Sequence, residues 1–312
     1  MHNLRFFTNA DVAAALDYAP LIEALRSGLA VDCESPVRGC HDLPGDASLL
    51  HMPVWQSGQG IGVKLVTVFP HNSARNLPSV AAVFTLFDDA TGQPLAMLEA
   101  SEMTARRTAC TSALAADYLV RHDAERLLIV GSGTLAAHMA RAHCCVRPYR
   151  EIQIWGRNAA KLAPLVAQLQ AEGFPVSAST DLQASVEQAD SITCITTSRQ
   201  PLVLGAWLKA GTHLDLVGAF LPSMRETDSA AVGLARIVVD TREGALHEAG
   251  DLLFAIADGV IQQQAIGTEL KDLLNGHGQR ADDGEITLFK SVGFALEDLI
   301  AARALLAQST EV

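Results

Sequence analysis

The sequence predicts an α/β protein: a doubly wound parallel sheet beside a second, α+β domain. Three observations carry this. Leu127 to Ala136 reads LLIVGSGTLA, an apolar strand, a glycine turn and the start of a helix. From there to Asp240 strand and helix patterns alternate, the βαβ rhythm of a parallel sheet. Before it, Leu49 to Ala100 is a run of neighbouring strands, which points to a separate antiparallel sheet.

The 312 residues leave room for two domains. The chain is 49% hydrophobic but only 5% aromatic, the alanine- and leucine-rich make-up of an α/β enzyme. A net charge of −12 argues against nucleic acid or an anionic membrane as partner. The N-terminus MHNLRFFTNADV has no signal-peptide core, and no apolar run reaches bilayer-spanning length. The six cysteines form no CxxC pair, so reduced thiols and a cytoplasmic location are expected. His143-Cys144-Cys145 lacks zinc-site spacing, and no metal is expected.

In chain order, Thr8 with Asp11 three residues on reads as a capping box opening a helical pattern to Val31, with Pro20 starting a second helix. Leu49–Trp55, Ile61–Phe69, Val80–Phe87 and Leu95–Glu99 follow as strands, and DDATG (Asp88 to Gly92) connects the last two as a hairpin. Ser101 is expected to cap a helix from Glu102 to Val120. After the glycine turn, Thr134 to Arg147 reads as a helix. Strands are then expected at Glu151–Trp155, Val176–Ser179, Ile192–Thr196, Thr212–Val217 and Ile237–Asp240, with helices at Ala159–Glu172 and Leu182–Gln188. Ile286 to Leu306 reads as one long amphipathic segment returning to the first domain.

The turn Gly131-Ser132-Gly133 and the helix start Thr134-Leu135 match the Rossmann dinucleotide fingerprint, with Ala136 in the third glycine position. Missing side chains let backbone N–H groups approach a pyrophosphate, and the helix dipole favours the anion. About 20 residues on, where an acid would accept from a ribose hydroxyl, the chain reads Gly156-Arg157-Asn158. A guanidinium there suits a 2′-phosphate, which favours NADPH, with NADH possible. The competing reading makes Arg157 a solvated loop arginine.

Three cations stand out in the first domain: Arg38, Lys64 within GIGVKLVTVF, and Arg107 within ARRTACTSALAA. A lysine among strand valines is costly to desolvate unless it meets an anion. Composition alone leaves snorkelling surface side chains as the simpler reading. The segments PVRG (Pro36–Gly39), GVKLVTVFP (Gly62–Pro70), LFDDATGQPLA (Leu86–Ala96), TARRTACTSALAADYL (Thr104–Leu119), VGSGTLA and ITLFKSVGFALEDL (Ile286–Leu299) resemble the ornithine cyclodeaminase/µ-crystallin family from end to end. The resemblance implies a substrate and dimerisation domain built from both chain ends, 1–118 with 291–312, and a Rossmann domain over 119–290. It implies a homodimer. It also places the family's carboxylate-binding cations on Arg38, Lys64 and Arg107, with Thr108 adjacent, and catalysis on Lys64 and Arg107. Thr196, Thr197, Val217, Gly218, Lys290 and Ser291 fall where the family runs its nicotinamide cofactor, alongside Arg157 and Asn158.

The departures narrow the reaction. Ornithine cyclodeaminases carry an acid just before the Met-Pro of the second strand, where this chain has Leu49-Leu50-His51. They also carry an aspartate two residues before the loop proline, where Phe220 precedes Pro222. Oxidising ornithine needs a base to take an ammonium proton, and both candidates are missing. Reducing a cyclic ketimine asks less, because a protonated C=N is already electrophilic. The loop GAFLPSMRE resembles that of the family's Δ1-pyrroline-2-carboxylate and ketimine reductases, with Phe220 against a pyrroline ring or simply a loop hydrophobe. The expected substrate is therefore a small cyclic imino acid. An alanine- or opine-type dehydrogenase, the disfavoured ornithine cyclodeaminase and a µ-crystallin-like NADPH-dependent binding protein remain as alternatives. His41, Asp42 and His51 are weaker polar candidates near Arg38, while His213 and His247 read as structural.

Overall fold

In the computed structural model, which describes residues 4–75 and 77–308, the chain divides into two units. The first is Met1–Thr108 with Phe294–Val312, and the second is Ala109–Gly293. The first division falls inside a helix, earlier than the expected 118/119, and the second just after the expected 290/291. Among the described residues no helix is long and apolar enough to cross a membrane.

The first unit holds a six-stranded sheet of β1 (Arg5–Phe7), β2 (Gly39–Leu43), β3 (Ala47–Gln56), β4 (Gly60–Val68), β5 (Val80–Phe87) and β6 (Pro94–Glu99). Their order is β1-β6-β5-β4-β3-β2, antiparallel except for β1 beside β6. The short edge strands β1 and β2 carry little period-two signal, and sequence reasoning missed them. The hairpin between β5 and β6 is tied by Asp88, whose Oδ1 accepts from Thr91 N at 2.8 Å, while Gly92 takes a φ of +68°. Thr8 and Asp11 form the expected capping box of the helix Asn9–Ala15. Ser101 is not the cap of the next helix, which runs Ala100–Leu119 straight on from β6. Its end is met instead by Asn9, whose Oδ1 accepts from Glu102 N at 2.9 Å.

Register decides which side chains are buried. Lys64 pairs with Met52 and Phe84, so its side chain shares their covered face. The opposite face exposes Phe6, Trp55 and Leu65. The covering layer is the helix Ala295–Gln308, buried from Ala295 to Ala302 and packed on β3, β4 and β5. The expectation of one segment over Ile286–Leu306 is corrected here. Its first five residues are a strand of the other unit, and only the part after Gly293 is helix. Apolar runs too short to show a period hide such a change of state.

The second unit is an eight-stranded, wholly parallel sheet of β7 (Arg126–Val130), β8 (Glu151–Trp155), β9 (Val176–Ser179), β10 (Ser191–Cys194), β11 (His213–Leu216), β12 (Ala235–Val239), β13 (Thr268–Glu269) and β14 (Ile286–Lys290). The order is β13-β12-β14-β11-β10-β7-β8-β9. The chain winds one way from β7 through β8 and β9, then the other way from β10. The switch point therefore lies between β7 and β10, the place where open α/β sheets bind ligands. Under the sheet Ser112 Oγ donates to Asp215 Oδ2, which also accepts from Thr193 Oγ1 at 2.6 Å. With its one proton spent, Ser112 accepts from His143 Nε2 at 2.9 Å, which sets the histidine tautomer. Burial pushes His213 down to about 3.

This knot joins the helix Ala100–Leu119, the helix Leu135–Val146 and two strands through one buried carboxylate. Asp215→Ala strands two hydroxyls without their acceptor and is expected to cost about 2–3 kcal/mol. Denaturant unfolding checks it, and a loss under about 0.5 kcal/mol, the surface-mutation range, would show that Asp215 does not carry the knot.

Candidate active site

In the first unit, β4 and the helix Ala100–Leu119 present Lys64 and Arg107 inward, both almost wholly buried at 3% and 4% exposure. They are not bare cations. Lys64 Nζ lies 2.6 Å from Asp298 Oδ2, and Arg107 Nε donates to Asp298 Oδ1 at 3.0 Å. Arg107 Nη1 also pairs with Glu297. Both acids come from the last helix and are fully buried. Arg38 is half-buried, and its charge reaches Lys64. Thr108 follows Arg107 on the helix and is half-buried. The first unit thus brings Arg38, Lys64 and Arg107 together.

The electrostatics follow from burial. Desolvation pulls the Lys64 ammonium down to about 8, with Asp298 opposing and the Arg107 and Arg38 charges adding to the fall. For Arg107 burial works against the charge, but Asp298 and Glu297 outweigh it and hold the guanidinium firmly protonated. Burial likewise raises Asp298, and Arg107 and Lys64 reverse it, so the carboxyl stays ionised. Glu297 and Asp298 were missed from sequence. The available signal was an acid pair set in an apolar helical run, FALEDLI, where two buried charges demand partners.

In the second unit the fingerprint turn joins β7 to the helix Leu135–Val146. Gly131 takes a φ of +134°, and a Cβ there would meet Ile195 at 2.8 Å. Gly133 is exposed with nothing near its Cβ position, so the backbone stays open to a ligand. Thr134 precedes the helix Leu135–Val146 without a side-chain cap. Among the described residues, none accepts from the N–H of Ser132, Gly133 or Thr134. Open donors at an uncapped helix start fit a pyrophosphate. Leu135 is half-buried and Ala136 fully buried against the sheet. Arg157 is exposed just past β8, and Asn158 Oδ1 is engaged in capping the next helix through Ala160 N at 3.0 Å.

The remaining expected cofactor positions are engaged within the fold to different degrees. The Lys290 side chain is fully buried, with Nζ 3.4 Å from Asp251 Oδ2. Ser291 donates its hydroxyl to Asp240 Oδ2 at 3.1 Å, the same oxygen that accepts from Val292 N and Gly293 N. The N–H groups of Thr196 and Gly218 are taken by Glu226. Val217 is buried, Thr197 is exposed, and Phe220 is 41% exposed on the loop after β11. The lysine at the end of this central strand points into the fold.

The fold defines a class, a Rossmann-type dinucleotide unit joined to an α+β unit with a buried cation–carboxylate cluster. The model of the ornithine cyclodeaminase/mu-crystallin family matches residues 14–311, and the chain belongs to that family. It is 37% identical over 300 residues to the Delta(1)-pyrroline-2-carboxylate reductase of Paracoccus denitrificans, covering 96% of this chain and 95% of the relative. Among solved structures, the Delta(1)-pyrroline-2-carboxylate reductase of Thermococcus litoralis, in complex with NADH and L-proline, superposes with a TM-score of 0.94. Identity there is 31%, with 99% of this chain and 98% of that one covered. An archaeal alanine dehydrogenase dimer with bound NAD gives 0.93 at 26% identity, covering 99% and 97%.

Lys64 is charged below about pH 8 and neutral above it. Binding of a non-reacting cyclic carboxylate is therefore expected to be strongest below that pH and to weaken as pH rises through it. Lys64→Arg keeps its charge and should abolish this limb. Calorimetric titration checks both, and pH-independent binding by the parent chain would contradict the role given to Lys64.

Proposed function

We propose that this chain reduces a cyclic ketimine carboxylate, Δ1-pyrroline-2-carboxylate and its six-membered homologue, to L-proline and L-pipecolate, with NADPH preferred. At the coarser level it is an NAD(P)H-dependent oxidoreductase acting on a carbon–nitrogen double bond. The observation that carries the substrate class is the Lys64–Asp298–Arg107 cluster. A buried ammonium and guanidinium locked by one carboxylate offer a rigid site for an organic acid, and bidentate arginine suits a planar carboxylate.

The nicotinamide, when bound, supplies the hydride. The chain's own residues orient the acid: Arg107 and Lys64 fix its carboxylate, with Arg38 adding charge. Holding the carboxylate fixes the ring, which places the C=N carbon and removes rotational freedom before reaction. Phe220 stands where cyclodeaminases place an acid, so that position offers no base to take an ammonium proton. The exposed guanidinium of Arg157, with no acid after β8, supports a 2′-phosphorylated cofactor. The exposed apolar face carrying Phe6, Trp55 and Leu65 supports a homodimer formed through the sheet.

An alanine-type dehydrogenase is the second reading, favoured by the likeness to the archaeal enzyme. One assay separates them. NADPH oxidation with Δ1-pyrroline-2-carboxylate should exceed that with pyruvate and ammonia by about tenfold or more in kcat/KM, with no NAD⁺ reduction by ornithine. Arg107→Lys should lower kcat/KM by about 10²-fold while cofactor affinity stays put. Preference for pyruvate with ammonia would overturn the first reading in favour of the second.

A further inference from the structure

Glu226 ends the loop motif GAFLPSMRE without a role assigned to it there, yet it is fully buried and its carboxylate accepts from three backbone N–H groups. One oxygen accepts from Thr196 N, in the segment that follows β10. The other accepts from Gly218 N at 2.8 Å and Ala219 N at 3.2 Å, in the segment that follows β11. The two segments are pressed together: a Cβ on Gly218 would fall 2.1 Å from Thr196 O. Glu226 is itself held in place, because Asp251 Oδ1 accepts from Glu226 N at 2.7 Å and from Thr227 N at 3.0 Å. Both segments leave the carboxyl ends of strands next to the switch point, where a dinucleotide binds in this architecture.

We propose that Glu226 is a positioning residue that clasps the segments after β10 and β11 and thereby sets the affinity of this unit for a nicotinamide dinucleotide. The inference rests on the reading that the unit binds one. The groups facing Glu226 come from three elements. Lys290 ends β14, Asp251 lies on the helix Gly250–Ala257, and Cys194 ends β10. Burial pushes Glu226 up to about 7, with Asp251 adding and Lys290 and the Thr196 N–H opposing. A carboxylate accepts from all three N–H groups at once. A carboxylic acid carries a proton on one oxygen and has less acceptor capacity there, so its hold on the N–H groups at that oxygen weakens. The clasp is therefore closed above neutrality and opens below it.

Two measurements test this. The first is amide hydrogen exchange at Thr196, Gly218 and Ala219 in the cofactor-free protein, corrected for intrinsic rates. The second is the calorimetric Kd for NADH, which lacks a titrating 2′-phosphate. Between about pH 8 and about pH 6, protection should fall and Kd should rise by roughly fivefold or more. In Glu226→Gln the amide NH2 must face either Thr196 N or the Gly218 and Ala219 pair, so protection should be low on that side and Kd weak and flat across that range. A flat profile in the parent chain, or a parent-like profile in Glu226→Gln, overturns the proposal. If Glu226→Gln does not fold, Lys290→Met replaces it. Loss of the opposing cation should move the midpoint to higher pH, and an unmoved midpoint overturns the clasp. Failure to bind NADH at any pH would sink the dinucleotide reading, while the exchange profile alone would still decide the clasp.

Discussion

Everything in the first unit turns on one carboxylate. Asp298 offers one oxygen to the Lys64 ammonium and the other to the Arg107 guanidinium, all three groups buried. Buried cations would repel and would each carry a large desolvation cost. Bridging them offsets both, so the cations can stay charged inside the fold. The helix that brings Asp298 also covers the inner face of the sheet. Packing and charge are thus the same event: the C-terminal helix completes the core and the cation cluster together. This explains why the two chain ends belong to one unit.

The second unit solves a different problem, how to leave backbone donors open at one spot while satisfying them elsewhere. At the fingerprint turn an uncapped helix start and two glycines leave N–H groups free to meet a pyrophosphate. Around it, buried acids hold the neighbouring segments: Glu226 takes donors from two of them, and Asp240 takes Ser291, Val292 and Gly293. Side-chain carboxylates do the work a regular ladder cannot do where the strands end. The open donors at that turn are therefore local, an arrangement that suits an anion.

Much of this was legible beforehand, and the reasons are physical. Parallel strands buried on both faces read as short apolar runs between helices, so β7 to β12 stood out. The glycine turn announced itself because close backbone approach demands missing side chains. Lys64 stood out because charge among strand valines is costly, but the family resemblance was what gave Lys64 and Arg107 a binding role. What stayed hidden was what answers that cost. Glu297 and Asp298 lie far from their partners in sequence, Glu226 joins a nearby pair to the more distant Thr196, and nothing local says whom they meet. Lys290 is similar: the pleat of β14 turns its side chain inward to Asp251, a partner its motif did not announce. The edge strands β1 and β2 were too short to show a period, and β14 merged with the helix after it into one apolar stretch.

The most direct test is a crystal structure of the chain with NADP⁺ and L-proline. The account predicts the proline carboxylate at about 3 Å from both Lys64 Nζ and the Arg107 guanidinium, with Asp298 still bridging the two. A carboxylate seated elsewhere, with Lys64 and Arg107 making no contact to it, would contradict the account at its root.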